Sequence, residues 1–453
     1  MRSILCRCSA KTVAFAVVWF AIGYVGVANA GLPTPSGASF RWGVAATVSG
    51  YAGSETLTNF PVLVRIRENS PNGFSYDDVA NGQSSNKETI DIGFTDMSGA
   101  GLPYDIDTWD PNGESLVWVR LPAVTNGTRF AMFWGSTSSG KDLCAGNVWS
   151  EYVGVWHLGE TADGVTTVYD STTNALSGTT VASSRAVADG VVGGSRHITD
   201  SESYSNIDTG IVVDLTDAAK RAAVDGLSTN FTASYWLRLP QNPRWSYAIT
   251  RKTGDTGRAW GVQMAYDNTG MIRLYSAGNS DQQNVRPYLD MLKRRNEWHK
   301  FDISWKADGT YVIYQDGENK MTGALYNNTT AYQGDKNLGI GGAVVNGGRG
   351  VIGEMDEVRL RAFVPSDDWA AADCATMTNA AFLVFSTTEP SSGDVSIPYL
   401  AIADFTLVNP TTGSESFAGA TTLALSGVPT VEDADLWQFT EDGDVSALAA
   451  NGW

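Results

Sequence analysis

Apolar and polar residues alternate with period two along most of this chain, in runs of five to ten residues broken by turn signals. That pattern predicts short half-buried strands. Residues 60–67 read FPVLVRIR, with Val62, Val64 and Ile66 on one face and Arg65 and Arg67 on the other. Upstream, Phe40-Arg41-Trp42 centres a first strand. Downstream, Ile90, Ile92 and Phe94 alternate with Asp91, and LPYDIDTW (102–109) leads into a turn at Asp110-Pro-Asn-Gly113. SLVWVRLP follows and, past Asn126-Gly127, TRFAMFWGS. The expectation is an antiparallel β unit over residues 31–145.

A second series of strands starts at VGVWHLGE (153–160) and continues through FTASYWLRL (231–239), WSYAIT (245–250), AWGVQMAY (259–266) and GMIRLYS (270–276). In EWHKFDISWK (297–306), Phe301, Ile303 and Trp305 face inward, and Lys300, Asp302, Ser304 and Lys306 outward. TYVIYQDG ends in a hairpin at Asp316-Gly317. The series closes on GVIGEMDEVRLRAF (350–363). Strict alternation there puts Ile352, Glu354, Asp356, Val358 and Leu360 on one face and Val351, Met355, Glu357, Arg359 and Arg361 on the other. Asp356 would then share a core face with Val358 and Leu360, where an unpaired carboxylate is prohibitively costly. Glu357, Arg359 and Arg361 suit a solvated face. A helix over 366–379 follows, with Ser366 as N-cap and Asp367 and Asp368 in its first turn. Residues 387–394 (TTEPSSGD) read as a linker. Residues 395–453 carry strand-like runs IADFTLV, TTLALSG and DLWQFT, the start of a further β module.

Composition agrees with strands and turns. Of 453 residues only 18% are charged, while 48 are glycine and 48 aromatic (15 Trp, 17 Tyr, 16 Phe). That is the make-up of several β-sandwich modules, not of helical bundles. The formal net charge of −18, with no basic cluster beyond Lys293-Arg294-Arg295, makes nucleic acid and anionic membrane surfaces poor partners. It suits calcium, high salt or neutral ligands such as glycans, and charge does not choose among them.

Arg2, Arg7 and Lys11 precede an apolar run at Val13–Val27, and Ala28-Asn29-Ala30 offers a small-x-small cleavage site. Residues 1–30 read as a secretory signal peptide, with no membrane span expected after its removal. Cys6 and Cys8 would leave with it, and the remaining pair, Cys144 and Cys374, brackets the central domain and is expected to form one disulfide. Neither has a His or Cys neighbour at zinc-ligand spacing.

The ordered blocks NFPVLVRI, IDIGFTD, LPYDIDTWD, SLVWVRLP and FAMFWGS, spanning about residues 55–140, resemble the domain-of-unknown-function 2341 family of exported bacterial surface proteins. That resemblance implies little chemistry. Residues 146–386 resemble the laminin-G-like, concanavalin A-like jelly-roll superfamily, through the Trp298-His299 strand opening, the Tyr314-Gln-Asp-Gly317 hairpin and the Gly353–Leu360 strand. It implies an all-β chain of tandem sandwich modules, the central one a concanavalin A-like jelly roll. The expected protein is secreted or cell-surface, binding a glycan or another extracellular ligand without catalysis. A polysaccharide hydrolase or lyase, or a protein-binding adhesin, is the alternative.

Four candidate chemistries follow. Glu354 and Asp356 at i and i+2 lie about 7 Å apart on a strand. Glycosidases of the concanavalin-like fold carry an E-x-D-x-E strand there, but the third position here is Val358, which leaves an acid–nucleophile pair incomplete. The resemblance also implies one structural Ca²⁺ tying an early turn to the last strand, with Asp170 (in Asp170-Ser-Thr-Thr-Asn174) and Asp356 as ligands. Trp245, Tyr247 and Trp260 border loops that could present rings to a sugar face. His157, His197 and His299 are scattered, with no nucleophile motif beside them, and read as structural.

Overall fold

The computed structural model describes residues 32–34, 40–136, 145–160, 165–181, 184–198, 210–228, 230–253, 257–264, 272–275, 283–285, 295–306, 308–324, 337–342, 350–387 and 389–390, apart from 241–245, together with four short strands beyond 400. The expected signal peptide lies outside them. Two compact units result, one of Leu32–Ser391 and one of Met1–Gly31 with Ser392–Trp453. In the latter, Thr406–Val408 pairs with Ala424–Ser426 and Leu436–Phe439 with Val445–Leu448, within the three expected runs and one beyond them.

The larger unit opens with β1 (Trp42–Val48), β2 (Leu57–Ile66), β3 (Ile92–Asp96), β4 (Tyr104–Thr108), β5 (Ser115–Val124) and β6 (Arg129–Trp134). One sheet has the order β2-β5-β4; the other holds β1, β6 and β3. Val62, Val64 and Ile66 point into the shared core as alternation predicts. The other face of β2 and β5, with Leu63, Leu116 and Trp118, is buried too, in a separate cluster with Trp149, Tyr152 and Trp236.

After a single turn of helix, α1 (Ala145–Val148), come β7 (Tyr152–Trp156), β8 (Thr167–Val168), β9 (Gly178–Thr180), β10 (Ser184–Val187), β11 (Ser195–Ile198), β12 (Ile211–Val213) and α2 (Ala218–Asp225). Next are β13 (Phe231–Arg238), β14 (Ser246–Thr253), β15 (Gly257–Met264), β16 (Ile272–Tyr275), β17 (Gln283–Val285), β18 (Trp298–Trp305), β19 (Thr310–Gln315), β20 (Glu318–Ala324), β21 (Leu338–Ile340) and β22 (Gly353–Arg361). They form two eight-stranded antiparallel sheets. One runs β10-β11-β22-β13-β18-β19-β20 with β7 also on β22, and the other β17-β16-β15-β14-β21-β12-β9-β8. Phe301, Ile303 and Trp305 enter the core between them. Lys300, Asp302 and Ser304 do face out of this sandwich, yet they are fully buried beneath the next helix.

That helix, α3 (Asp367–Thr378), is capped by Ser366, whose Oγ accepts from Trp369 N at 3.1 Å. It has few solvated positions because two sandwiches claim it: Trp369 and Ala372 enter the first core, while Cys374 and Met377 join the Trp118 cluster. The chain then returns to the first sandwich, where β23 (Leu383–Phe385) pairs with β1 through Ala46↔Phe385 and Val48↔Leu383, and β24 (Glu389–Pro390) pairs with the start of β1. Strands from both ends of the unit thus complete one sheet. Part of the expected 387–394 linker is sheet.

Cys374 is a free thiol, and Cys144 lies outside the described residues, so the expected bridge is not formed at Cys374. Burial pushes this thiol up to about 12. Because the thiolate is the nucleophile, Cys374 should resist iodoacetamide in the native protein at pH 8 and react once urea is added. Peptide mapping reads this, and a linked Cys144–Cys374 peptide would contradict it.

Candidate functional site

The organising feature is a bulge in β22. Its pairing with β13 runs Ser234↔Arg359 and then Trp236↔Asp356, so one residue of β13 faces two of β22. Glu357 sits in the left-handed region at φ 48°, which costs a non-glycine residue about 1–2 kcal/mol. The extra residue reverses the alternation. Met355, Val358 and Leu360 all enter the sandwich core, and Asp356 and Glu357 fall together on the outer face with Arg359 and Arg361. This corrects two expectations. Asp356 is not on the core face, and the face it occupies is not solvated: Asp356, Glu357, Arg359 and Arg361 are 0–2% exposed.

What covers this face is the first sandwich and α3. Tyr104 and Ile106 of β4 point into their own core, so alternation turns Asp105 and Asp107 toward β22. His157, just past β7, completes the group. Its Nδ1 is 2.7 Å from Glu357 Oε1 and its Nε2 is 3.3 Å from Asp105 Oδ2. Asp105 Oδ2 also accepts from Trp149 Nε1 at 2.8 Å. Arg359 donates twice to Glu357 Oε2, at 3.0 and 2.6 Å, and once to Asp373 Oδ1 of α3 at 3.2 Å. Its guanidinium packs over the rings of both Trp118 and Trp149, 4.3 and 4.9 Å from their centroids. The chain of charges continues through Lys300, 2.8 Å from Asp373 Oδ2, to Asp302 and Arg361.

Each ionisation follows from its neighbours. Burial disfavours a charged His157, but Glu357 and Asp107, with hydrogen bonds from Asp105 and Glu357, hold its pKa well above the usual histidine range. Burial pushes Asp107 up to about 6, against the pull of His157. Asp356 is raised well above an ordinary carboxylate, by burial and then by Glu357; its Oδ2 accepts from Val191 N and Val192 N at 2.7 and 2.9 Å. Asp373 goes the other way: burial alone would raise it, but Lys300, Arg359 and Arg361 hold it far down.

A carboxylate depressed in the folded state adds stability that is complete above its unfolded pKa of about 3.9 and is lost as pH falls toward the folded value. Asp373→Asn should therefore lower stability at pH 7 and flatten the loss of stability below about pH 4. Urea midpoints from pH 7 to pH 2 read both effects. An unchanged acid limb would show that Asp373 does not carry this linkage.

The other sequence-derived candidates are dispersed. Glu354 is tied to His197 Nδ1 at 3.0 Å and Arg238 Nε at 3.0 Å. The Asp170 carboxylate takes Val155 N and Thr172 N on Oδ1, and Thr172 Oγ1 and Leu176 N on Oδ2. It caps its turn with no lone pair to spare. Among the described residues, Asp107, His157 and Glu357 form a group of three side chains whose ligand atoms all lie within 4.8 Å of one another. Tyr247 is 1% exposed within β14, so its ring offers no open face to a sugar. Trp245 lies outside the described residues, and Trp260 is opposite Arg251 on β15 with its side chain outside them. A cleft of about 600 Å³ lies elsewhere, lined by Glu55, Glu151, Tyr152, Phe363, Pro365 and Trp369 among others.

Sequence reading missed the buried centre. Asp105 and Asp107 sharing a strand face, in a chain poor in charge, were its one local signal. His157 and Glu357 are 200 residues apart and meet only through the β7–β22 pairing.

Residues 213–369 match the Laminin_G_3 family model, described as the concanavalin A-like lectin/glucanases superfamily. No curated protein sequence matches the chain. Solved structures similar to it include the binding domain of Paraclostridial Mosquitocidal Protein 1 (11% identity, TM-score 0.39, 51% of this chain and 53% of that one). Another is the binding domain of botulinum neurotoxin serotype D (11%, TM-score 0.35, 49% and 51%). A third is domain 4 of AbnA, a GH43 extracellular arabinanase from Geobacillus stearothermophilus, in complex with arabinotriose (16%, TM-score 0.31, 49% and 86%). The chain spans about half the length of the first of these structures. Its fold is all-β, with a concanavalin A-like domain at residues 213–369.

Proposed function

We propose that this is an exported, surface-associated carbohydrate-binding protein that does not cleave its ligand. The observation that carries the reading is the match of residues 213–369 to a superfamily of lectins and glucanases. Within that pair, the side chains favour binding. A retaining glycosidase needs two carboxyl groups about 5–5.5 Å apart across the scissile bond, one of them a proton donor. Here Val358 is in the core, Glu354 is held by His197 and Arg238, and Asp356 is buried against the backbone of Val191 and Val192. None of the three faces a groove in a free state. The stacking candidates for the ligand are Trp245 and Trp260, the latter within β15.

Export rests on the basic-apolar-small pattern of residues 1–30 and on the surface-protein family that residues 55–140 resemble. A glycan array probed with the full chain, with calcium and with chelator, tests the reading. Binding to a defined glycan class supports it, and chelator-sensitive binding would add a cation to the site. Absence of binding to any glycan, with capture of protein ligands instead, would overturn it.

A further inference from the structure

The buried centre between the two sandwiches has the composition of a metal site. Asp107, His157 and Glu357 each bring a donor atom within 4.8 Å of the other two. They come from three separate segments, so the fold assembles them rather than a local turn. Asp107 Oδ2 is buried with no hydrogen-bond partner, in a residue only 6% exposed. Asp356 Oδ1, on the neighbouring residue to Glu357, is likewise buried without one. Two buried carboxylate oxygens without a partner in one cluster call for an explanation, and a bound ion is one.

The surrounding contacts are those that orient metal ligands. Asp105 Oδ2, fixed by Trp149 Nε1, faces His157 Nε2 and can keep the ring proton there, leaving Nδ1 as a donor. Arg359 holds Glu357 by Oε2 and leaves Oε1 beside His157 Nδ1, 2.7 Å away, a separation two donors on one cation can reach.

We propose that Asp107, His157 and Glu357 bind a single divalent transition cation, zinc or manganese, at the junction of the two sandwiches. One imidazole with two carboxylates suits those metals better than calcium, which takes all-oxygen sets. Binding replaces the Nδ1 proton of His157, which leaves to solvent, and no other bond changes. Such a cation is a structural rivet. It is independent of the carbohydrate reading, which stands or falls with the array.

The test uses the full chain, stripped with chelator, given ZnCl₂ or MnCl₂ and desalted. Bound metal per chain is read by atomic emission and unfolding temperature by circular dichroism. The expected result is a single retained equivalent and a rise in unfolding temperature that chelator abolishes. Asp107→Asn keeps the side-chain shape and should leave the fold intact while weakening binding by roughly tenfold or more. His157→Gln should also weaken binding, with a loss of stability as well, because Glu357 and Asp105 lose their shared partner. No retained metal, or equal retention in wild type and in folded Asp107→Asn, would overturn the assignment.

Discussion

Arg359→Ala is expected to destabilise the protein by about 3–5 kcal/mol, the usual cost of removing one partner from a buried ion network. The reason is what it leaves behind. Glu357 loses a two-pronged partner and Asp373 loses one of its cations, at positions with no water to replace them. Trp118 and Trp149 also lose the flat cation packed over their rings. Arg359→Lys should cost less but still be clearly destabilising, since an ammonium cannot match the fork geometry. Urea unfolding of the three proteins measures the order wild type, Lys, Ala. A loss under about 1 kcal/mol for Arg359→Ala, the range of an exposed pair, would mean that this face is open to solvent.

Trp369→Ala carries the second large effect, about 3–5 kcal/mol for an aromatic deleted from a core. Although Trp369 follows the concanavalin-like strands in the chain, its ring packs edge-on to Phe60 at 4.8 Å and to Phe363 at 5.1 Å, inside the first sandwich. The cavity would therefore open in the N-terminal core. Hydrogen exchange should show loss of protection along β1 and β2 as well as in α3. Loss confined to α3 and the strands under it would contradict the way β23 and α3 complete the first sandwich.

Particular residues show how far sequence reading reaches here. Val62, Val64, Ile66, Phe301, Ile303 and Trp305 were placed on the correct faces because their strands run without interruption, and Ser366 was legible as a cap because capping is local. Asp356 was misplaced because counting by two assumes an unbroken strand, and nothing in EMDEVRL announces that Glu357 takes a left-handed backbone. Lys300, Asp302, Arg359 and Arg361 looked solvated because an outward face and a solvated face are the same pattern. Only the packing of a second sandwich and α3 separates the two. The Cys144–Cys374 expectation came from chain position, whereas Cys374 fills a buried place beside Trp118 and Met377. His157 was passed over for want of nearby partners, and its partners arrive from 52 and 200 residues away.

Binding without cleavage is the claim most open to direct trial. Affinity electrophoresis of the full chain through gels containing soluble plant and bacterial polysaccharides would pick out those that retard it. Each such polysaccharide would then be incubated with the protein and assayed for new reducing ends and for unsaturated products. The account predicts saturable retardation and a polymer of unchanged length, with Glu354→Gln behaving as wild type. New chain ends that disappear in Glu354→Gln would contradict it and make this a polysaccharide-cleaving enzyme.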